Sequence, residues 1–236
     1  LTWMLLFGIV HGAAIWFGDI LTVYAISGFF MLFARSWRPR TLLITGASLY
    51  VLLCALGALS AGAVTLISAV SVEELRVQIW APAAASVQSA IAAFGGSFSD
   101  SLNANFETWK AFMPYEIPNT VPRTMALMMI GLGLFKIGFL SGKAPMAAYW
   151  SCIAAGAVAL AIVAYQAMLN SAAGFEFVHM QTRGSLVNPA LSILISLFYA
   201  SGLILCVRFN ALTLLTNALA PVGQMAFTNY IAQSVI

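Results

Sequence analysis

The stretch from Thr41 to Leu66, TLLITGASLYVLLCALGALSAGAVTL, decides the fold. It carries no charged side chain and is longer than the roughly 20 apolar residues that a helix needs to cross a bilayer. Similar apolar runs cover Leu1–Trp16, Ile20–Ala34, Val121–Leu140, Met146–Leu169, Pro189–Phe209 and a last helix starting near Gly223. The sequence therefore predicts an all-α, polytopic transmembrane helix bundle with about seven spanning or partly spanning helices.

The composition excludes a soluble globular domain. Hydrophobic residues make up 62% of the chain, charged residues 7%, and the mean hydropathy is +0.96. Too little polar surface remains to face water, so membrane lipids are the expected partners. The net charge of +3 is spread along the chain and does not indicate a basic surface that would bind a nucleic acid.

Residues 72–120 are less apolar than the rest of the chain. Prolines and glycines interrupt this segment at Pro82, Gly95, Gly96, Pro114 and Pro118. We expect interfacial helices here, over Val72–Trp80 and Ala83–Phe94, with Trp80, Trp109 and Tyr115 at headgroup depth.

The distribution of arginines predicts the orientation. Arg35, Arg38 and Arg40 share one short loop, which the positive-inside rule assigns to the cytoplasm. Alternation then puts residues 72–120 and Asp19 on the non-cytoplasmic side. We interpret residues 1–236 as one transmembrane domain and, because both ends fall inside apolar runs, as a fragment of a longer chain.

His11 is the clearest candidate for chemistry, because ionisable groups within apolar helices are costly and usually retained for function. Gly8 and Gly12 flank it at the small-xxx-small spacing that lets a neighbouring helix approach closely. Histidine, whose unperturbed pKa is about 6.5, is the natural general base among the side chains. The alternative is a histidine that only hydrogen-bonds two helices together.

Asp19 follows His11 by eight residues, a step that falls about 80° off the same helix face. Pairing through the intervening turn is therefore open but cannot be read from the spacing. The other role of Asp19 is to cap the helix Ile20–Ala34, and both roles could hold together.

Two further groups are candidates for binding. Arg35, Arg38 and Arg40 could hold the phosphates of a nucleotide-containing cofactor such as coenzyme A, although the orientation rule alone accounts for them. The last helix is polar, and its candidate substrate-binding residues are Gln224, Thr228, Asn229 and Tyr230. They either line a cavity or hydrogen-bond neighbouring helices.

No metal site, nucleotide-binding loop or Rossmann glycine pattern is present in the sequence. Cys54, Cys152 and Cys206 lie inside apolar runs, where they are expected to behave as small hydrophobic residues.

Three stretches resemble the YeiB-like family of bacterial inner-membrane proteins. His11–Gly28, HGAAIWFGDILTVYAISG, is similar to the family signature GLxH…W.GDIL..YA..G. Arg123–Gly142 resembles its R.LglMLlGmaL.r.GfL.G helix, and Gly223–Ser234 its GRMALTNYL.QS motif. Gln224 stands where the family usually has Arg or Lys.

The resemblance implies a multi-pass protein of the bacterial inner membrane in a transmembrane acyltransferase superfamily. Its members carry an acyl group from cytoplasmic acyl-CoA to an acceptor across the membrane, using a membrane-embedded histidine. His11 matches that histidine, with Asp19 orienting its ring and residues of the last helix lining the acceptor path. A transporter or lipid carrier, and a structural subunit of a hetero- or homo-oligomeric membrane complex, are the alternatives.

Overall fold

A computed structural model describes residues 1–234, which contain α-helices joined by short turns and no strand. The helices are α1 (Thr2–Ala14), α2 (Leu21–Ala34), α3 (Pro39–Val64), α4 (Ala69–Ile79), α5 (Ala84–Phe94), α6 (Phe98–Lys136), α7 (Met146–Ala172), α8 (Phe177–His179), α9 (Val187–Arg208), α10 (Thr213–Gln224) and α11 (Ala226–Gln233). A π-helical turn, Met180–Gly184, follows α8. The all-α class is confirmed.

Four segments are long and apolar enough to cross a membrane: Pro39–Val64, Ala69–Phe94, Met146–Ala172 and Val187–Arg208. Three of them match predicted spans to within a few residues at each end. The fourth joins α4 and α5 across the break at Pro82, so the interfacial placement of this segment stays a prediction. With the shorter apolar helices α1 and α2, these segments make the chain a multi-pass helical membrane protein.

Helix α6 is longer than the sequence suggested. It runs without interruption for 39 residues, or about 58 Å, through Pro114, Pro118 and Pro122. The prediction that Pro114 and Pro118 interrupt this stretch is therefore wrong, and the span predicted from Val121 begins inside α6 instead of starting a separate helix. The prolines recur every four residues, so the lost hydrogen bonds fall along one helix face, and Pro114 and Pro118 are exposed.

The last apolar run is divided differently from the prediction. Helix α10 continues through Pro221 to Gln224, and α11 begins at Ala226 instead of near Gly223. The break lies at Met225, which is the N-cap residue of α11. This division separates Gln224 from the polar residues that follow it.

The chain forms two compact units. The first contains Leu1–Gly46, Ala83–Leu132 and the residues from Asn217 on. Within it, Ala34, Leu42 and Met129 form a buried cluster that joins α2, α3 and α6.

The second unit contains Ala47–Pro82 and Gly133–Thr216. In it, Phe139, Tyr149 and Leu205 form the buried cluster. Helices α7 and α9 pack together, and Tyr50 of α3 donates hydrogen bonds to the Pro189 carbonyl and contacts the Ser192 hydroxyl.

Candidate functional site

His11 and Asp19 form a hydrogen-bonded pair in the first unit. His11 lies in the last turn of α1, Asp19 lies in the turn before α2, and both are 2% exposed. The imidazole Nδ1 is 2.9 Å from Asp19 Oδ1. Because a carboxylate can only accept, Nδ1 donates the proton of this bond, and in the neutral ring the lone pair then lies on Nε2.

The imidazole Nε2 is buried and has no hydrogen-bond partner among residues 1–234. A buried acceptor without a partner is costly, so it marks either strain or a functional atom. With Nδ1 held by a carboxylate, Nε2 of His11 has the arrangement of a general base or a nucleophile.

The carboxylate of Asp19 accepts four hydrogen bonds. Oδ1 accepts from His11 and from the Tyr230 hydroxyl, at 3.2 Å. Oδ2 accepts from the Thr22 backbone N–H at 2.8 Å and from its hydroxyl at 3.0 Å. The Thr22 N–H is one of the four at the start of α2 without an intrahelical partner. One side chain therefore both pairs with the imidazole and secures the helix start.

Gly8 and Gly12 allow the close packing that surrounds the pair. A Cβ on Gly8 would lie 2.5 Å from the Thr22 nitrogen and 2.9 Å from Asp19 Oδ2. A Cβ on Gly12 would lie 2.5 Å from Trp109 Nε1. The predicted close approach at these glycines is confirmed, with α2 on one side and α6 on the other.

Tyr230 is the residue of the last helix that reaches the pair. Its hydroxyl accepts from the Ile20 N–H at 3.3 Å and donates to Asp19, while its ring centroid lies 5.2 Å from that of His11. Tyr230 therefore joins α11 to the turn between α1 and α2.

The other residues predicted to bind substrate in this region differ in burial and in the helix that carries them. Gln224 and Thr228 are exposed and belong to different helices, because the chain breaks at Met225. Asn229 is half-buried, and its amide donates to the Val222 carbonyl. The prediction that one helix carries all of these residues is wrong, whereas their binding roles stay predictions.

The three arginines lie at the opposite end of α2 from Asp19. Arg35, Arg38 and Arg40 are exposed around the turn between α2 and α3. Helix α2 has 14 residues, so its ends are about 21 Å apart. A cofactor held by the arginines would have to extend over that distance to reach His11.

Asn105 and Trp109, both from α6, complete the site and were not predicted as part of it. The Asn105 amide donates to the carbonyls of Gly12 and Ala13, each at 2.9 Å, and its Oδ1 accepts from the Phe17 N–H at 2.9 Å. It thereby satisfies carbonyls in the last turn of α1. Trp109 buries its indole N–H against Gly12, and its placement at headgroup depth stays a prediction.

A second polar cluster lies at the end of α7 in the other unit. Asn170 is buried; its oxygen accepts from Gln166 at 2.8 Å and is 3.0 Å from His179 Nε2, while its amide donates to the Gly184 carbonyl. A cavity of about 410 Å³ lies beside this cluster, between α7, the π-helical turn and the start of α9.

Neither cluster resembles a metal site. No group of three or more His, Cys, Asp or Glu side chains able to hold a metal ion occurs in the described part of the chain. All three cysteines are half-buried and free.

Comparison with known proteins gives two matches. The family model described as "Protein of unknown function (DUF418)" matches residues 134–236, which include Tyr230 and the second polar cluster. The uncharacterized protein YxaH of Bacillus subtilis (strain 168) is 55% identical over 49 residues. That similarity covers 21% of this chain and 12% of YxaH. No solved structure matches the chain.

Proposed function

We propose that this chain forms part of a membrane-embedded acyltransferase of the bacterial inner membrane in which His11 is the general base. The observation that carries the proposal is the buried His11–Asp19 pair, whose Nε2 has no partner among the described residues. The resemblance to the YeiB-like family supports it, because both residues fall within the first stretch that resembles that family's signature.

In the proposed reaction, the hydroxyl or amine of the acceptor gives its proton to Nε2 of His11. The acceptor atom bonds to the carbonyl carbon of an acyl-CoA, the carbon–sulfur bond breaks, and the imidazolium returns its proton to the departing thiolate. Asp19 stabilises the imidazolium and holds the ring in one orientation. Proton and electron pairs balance without a metal or a redox partner.

The binding residues have separate roles in this proposal. Arg35, Arg38 and Arg40 hold the phosphates of the acyl-CoA at the cytoplasmic end of α2, and the acyl-bearing arm extends along the helix to His11. Gln224, Thr228 and Asn229 line the route of the acceptor, whereas Tyr230 positions the Asp19 carboxylate.

The test is transfer of label from radioactive acetyl-coenzyme A to membrane acceptors by the full-length protein in bacterial membrane vesicles. We expect His11→Ala to lower the rate by about 10²–10⁴-fold with unchanged protein yield. His179→Gln is the matched control, because His179 is the other of the chain's two histidines and lies in the second unit. Equal rates for His11→Ala and His179→Gln would refute the mechanism.

The cavity beside Asn170 favours a second candidate function, a carrier of lipids or small molecules. Its volume of about 410 Å³ lies within the range of small-molecule sites, and amide side chains of Gln166, Asn170 and Asn188 line it. Passage of an unmodified substrate across protein-containing liposomes, with no covalent product, would support the carrier. Acyl products in a sealed bilayer would exclude it.

A further inference from the structure

The indole N–H of Trp109 is the second polar atom at this site that is buried without a partner in residues 1–234. The ring of Trp109 stacks on Phe106, with centroids 6.0 Å apart, and its Nε1 faces the backbone of Gly12. A buried donor that makes no hydrogen bond is costly, and natural structures retain few of them.

The unpartnered nitrogen of Trp109, on α6, packs against the last turn of α1, which carries His11, and the two atoms have opposite character. Nε2 of His11 offers a lone pair, whereas Nε1 of Trp109 can only donate. Trp109 contacts the position of Gly12, and Gly12 is the neighbour of His11 in the chain. A ligand that satisfies both atoms must present one proton and one oxygen acceptor.

We infer that Trp109 donates a hydrogen bond to the carbonyl oxygen of the acyl group while His11 takes the proton of the acceptor. The inference rests on the proposed acyl transfer. The carbonyl oxygen fits Trp109 because it is an acceptor throughout the reaction and gains negative charge in the tetrahedral intermediate. The acceptor's own hydroxyl or amine must donate, and the unpartnered Nε2 of His11 is placed to receive that proton.

Trp109 therefore acts when the new bond forms. As the acceptor atom attacks, the electron pair of the carbonyl π bond moves onto the oxygen that Trp109 holds. When the carbon–sulfur bond breaks, that pair returns to restore the carbonyl, and the thiolate takes the proton from His11. A donor already fixed in a buried site stabilises the intermediate without reorganising at the moment of reaction.

The first test is kinetic and uses Trp109→Phe in the full-length protein with acetyl-coenzyme A. Removing one donor of this kind is expected to lower kcat by about 10²–10³-fold while the KM for acetyl-coenzyme A changes little. Trp80→Phe is the matched control, because its N–H donates to the Phe175 carbonyl in the second unit. A purely structural role of Trp109 would instead lower the yield of folded protein and leave kcat per folded molecule unchanged.

The second test needs no loss of the side chain. Fluorotryptophan incorporated at position 109 is observed by fluorine NMR while ligands are added to the wild-type sequence. We expect its signal to shift with an acetyl-coenzyme A analogue that keeps the carbonyl and replaces the sulfur by a methylene. Coenzyme A, which lacks the acyl carbonyl, should leave the signal unchanged.

The outcomes separate this inference from the proposed function. If His11→Ala is inactive while Trp109→Phe keeps full kcat, acyl transfer stands and the role of Trp109 is refuted. An unshifted signal at saturating analogue refutes it equally. If the wild-type protein neither binds the analogue nor transfers acetyl groups, the proposed function fails and this inference fails with it.

Discussion

Asn105→Ala should destabilise the first unit more than any other single amide replacement on α6. The side chain is 5% exposed and makes three hydrogen bonds, to the Gly12 and Ala13 carbonyls and from the Phe17 N–H. At about 1 kcal/mol for each bond, the variant should lose about 3 kcal/mol of unfolding free energy. For a chain of this size, that corresponds to a fall of about 6–12 °C in Tm.

The assay is thermal unfolding of the purified full-length protein in detergent, with Asn103→Ala as the control. Asn103 is an exposed asparagine on the same helix, two positions away, so its replacement should lower Tm by less than about 2 °C. Hydrogen exchange at the Phe17 amide supplies a local readout, and Asn105→Ala should accelerate it. Equal melting temperatures for the two variants, with Phe17 still protected, would refute the reasoning.

Three other predictions follow from contacts in the structure. Gly8→Ala should lower the free energy of unfolding by about 1–3 kcal/mol because its Cβ would collide with α2. Gly57→Ala, with open space around the new Cβ, should be neutral or stabilising. Equal losses of stability in the two variants, measured by unfolding, would contradict this prediction. Tyr230→Phe removes a donor to Asp19, so acetyl transfer should fall by less than tenfold, and an unaltered rate would rule out a positioning role. The backbone N–H groups at the start of α8 hold the pKa of the Glu176 carboxyl below its ordinary 4.5. The carboxylate therefore stabilises that turn above pH 4.5, and the stabilisation is lost as the pH falls through the lowered pKa. Amide exchange followed down to pH about 3 should show this loss, and Glu176→Gln should abolish the pH dependence.

The spanning helices could be predicted because apolar composition alone determines them. The predicted span from Met146 agrees with the start of α7, and Thr41–Leu66 lies within two residues of α3 at each end. Helix α6 could not be predicted in the same way. A proline removes one hydrogen bond and crowds the preceding turn, but three prolines spaced by four residues concentrate these losses on one face. Carbonyls freed on an exposed face can bind water, so the helix continues.

The candidate site could be predicted only in part, for a related reason. His11 stands out because a titratable side chain in an apolar helix is rare, and Tyr230 belongs to an unusually polar last helix. Asn105 and Trp109 lie about 90 residues further along the chain from the turn that they contact, within the segment interpreted as interfacial. Their spacing of four residues puts them on one helix face, a signal that becomes visible only once the residues before Pro114 are assigned to a helix.

The two oxygens of the Asp19 carboxylate accept hydrogen bonds from different groups, so no neutral side chain of the same shape can replace it. Asparagine has the same shape but must turn its NH₂ toward one of the two groups that the aspartate oxygens serve. If the amide oxygen faces the imidazole, the NH₂ group faces the Thr22 N–H, which is also a donor. The start of α2 then loses its capping hydrogen bond. If it faces Thr22, the NH₂ meets the imidazole, which must then present Nδ1 as an acceptor and carry its proton on Nε2. A genetic screen would therefore score the same substitution as a folding defect or as a chemical defect, according to which way one amide had rotated.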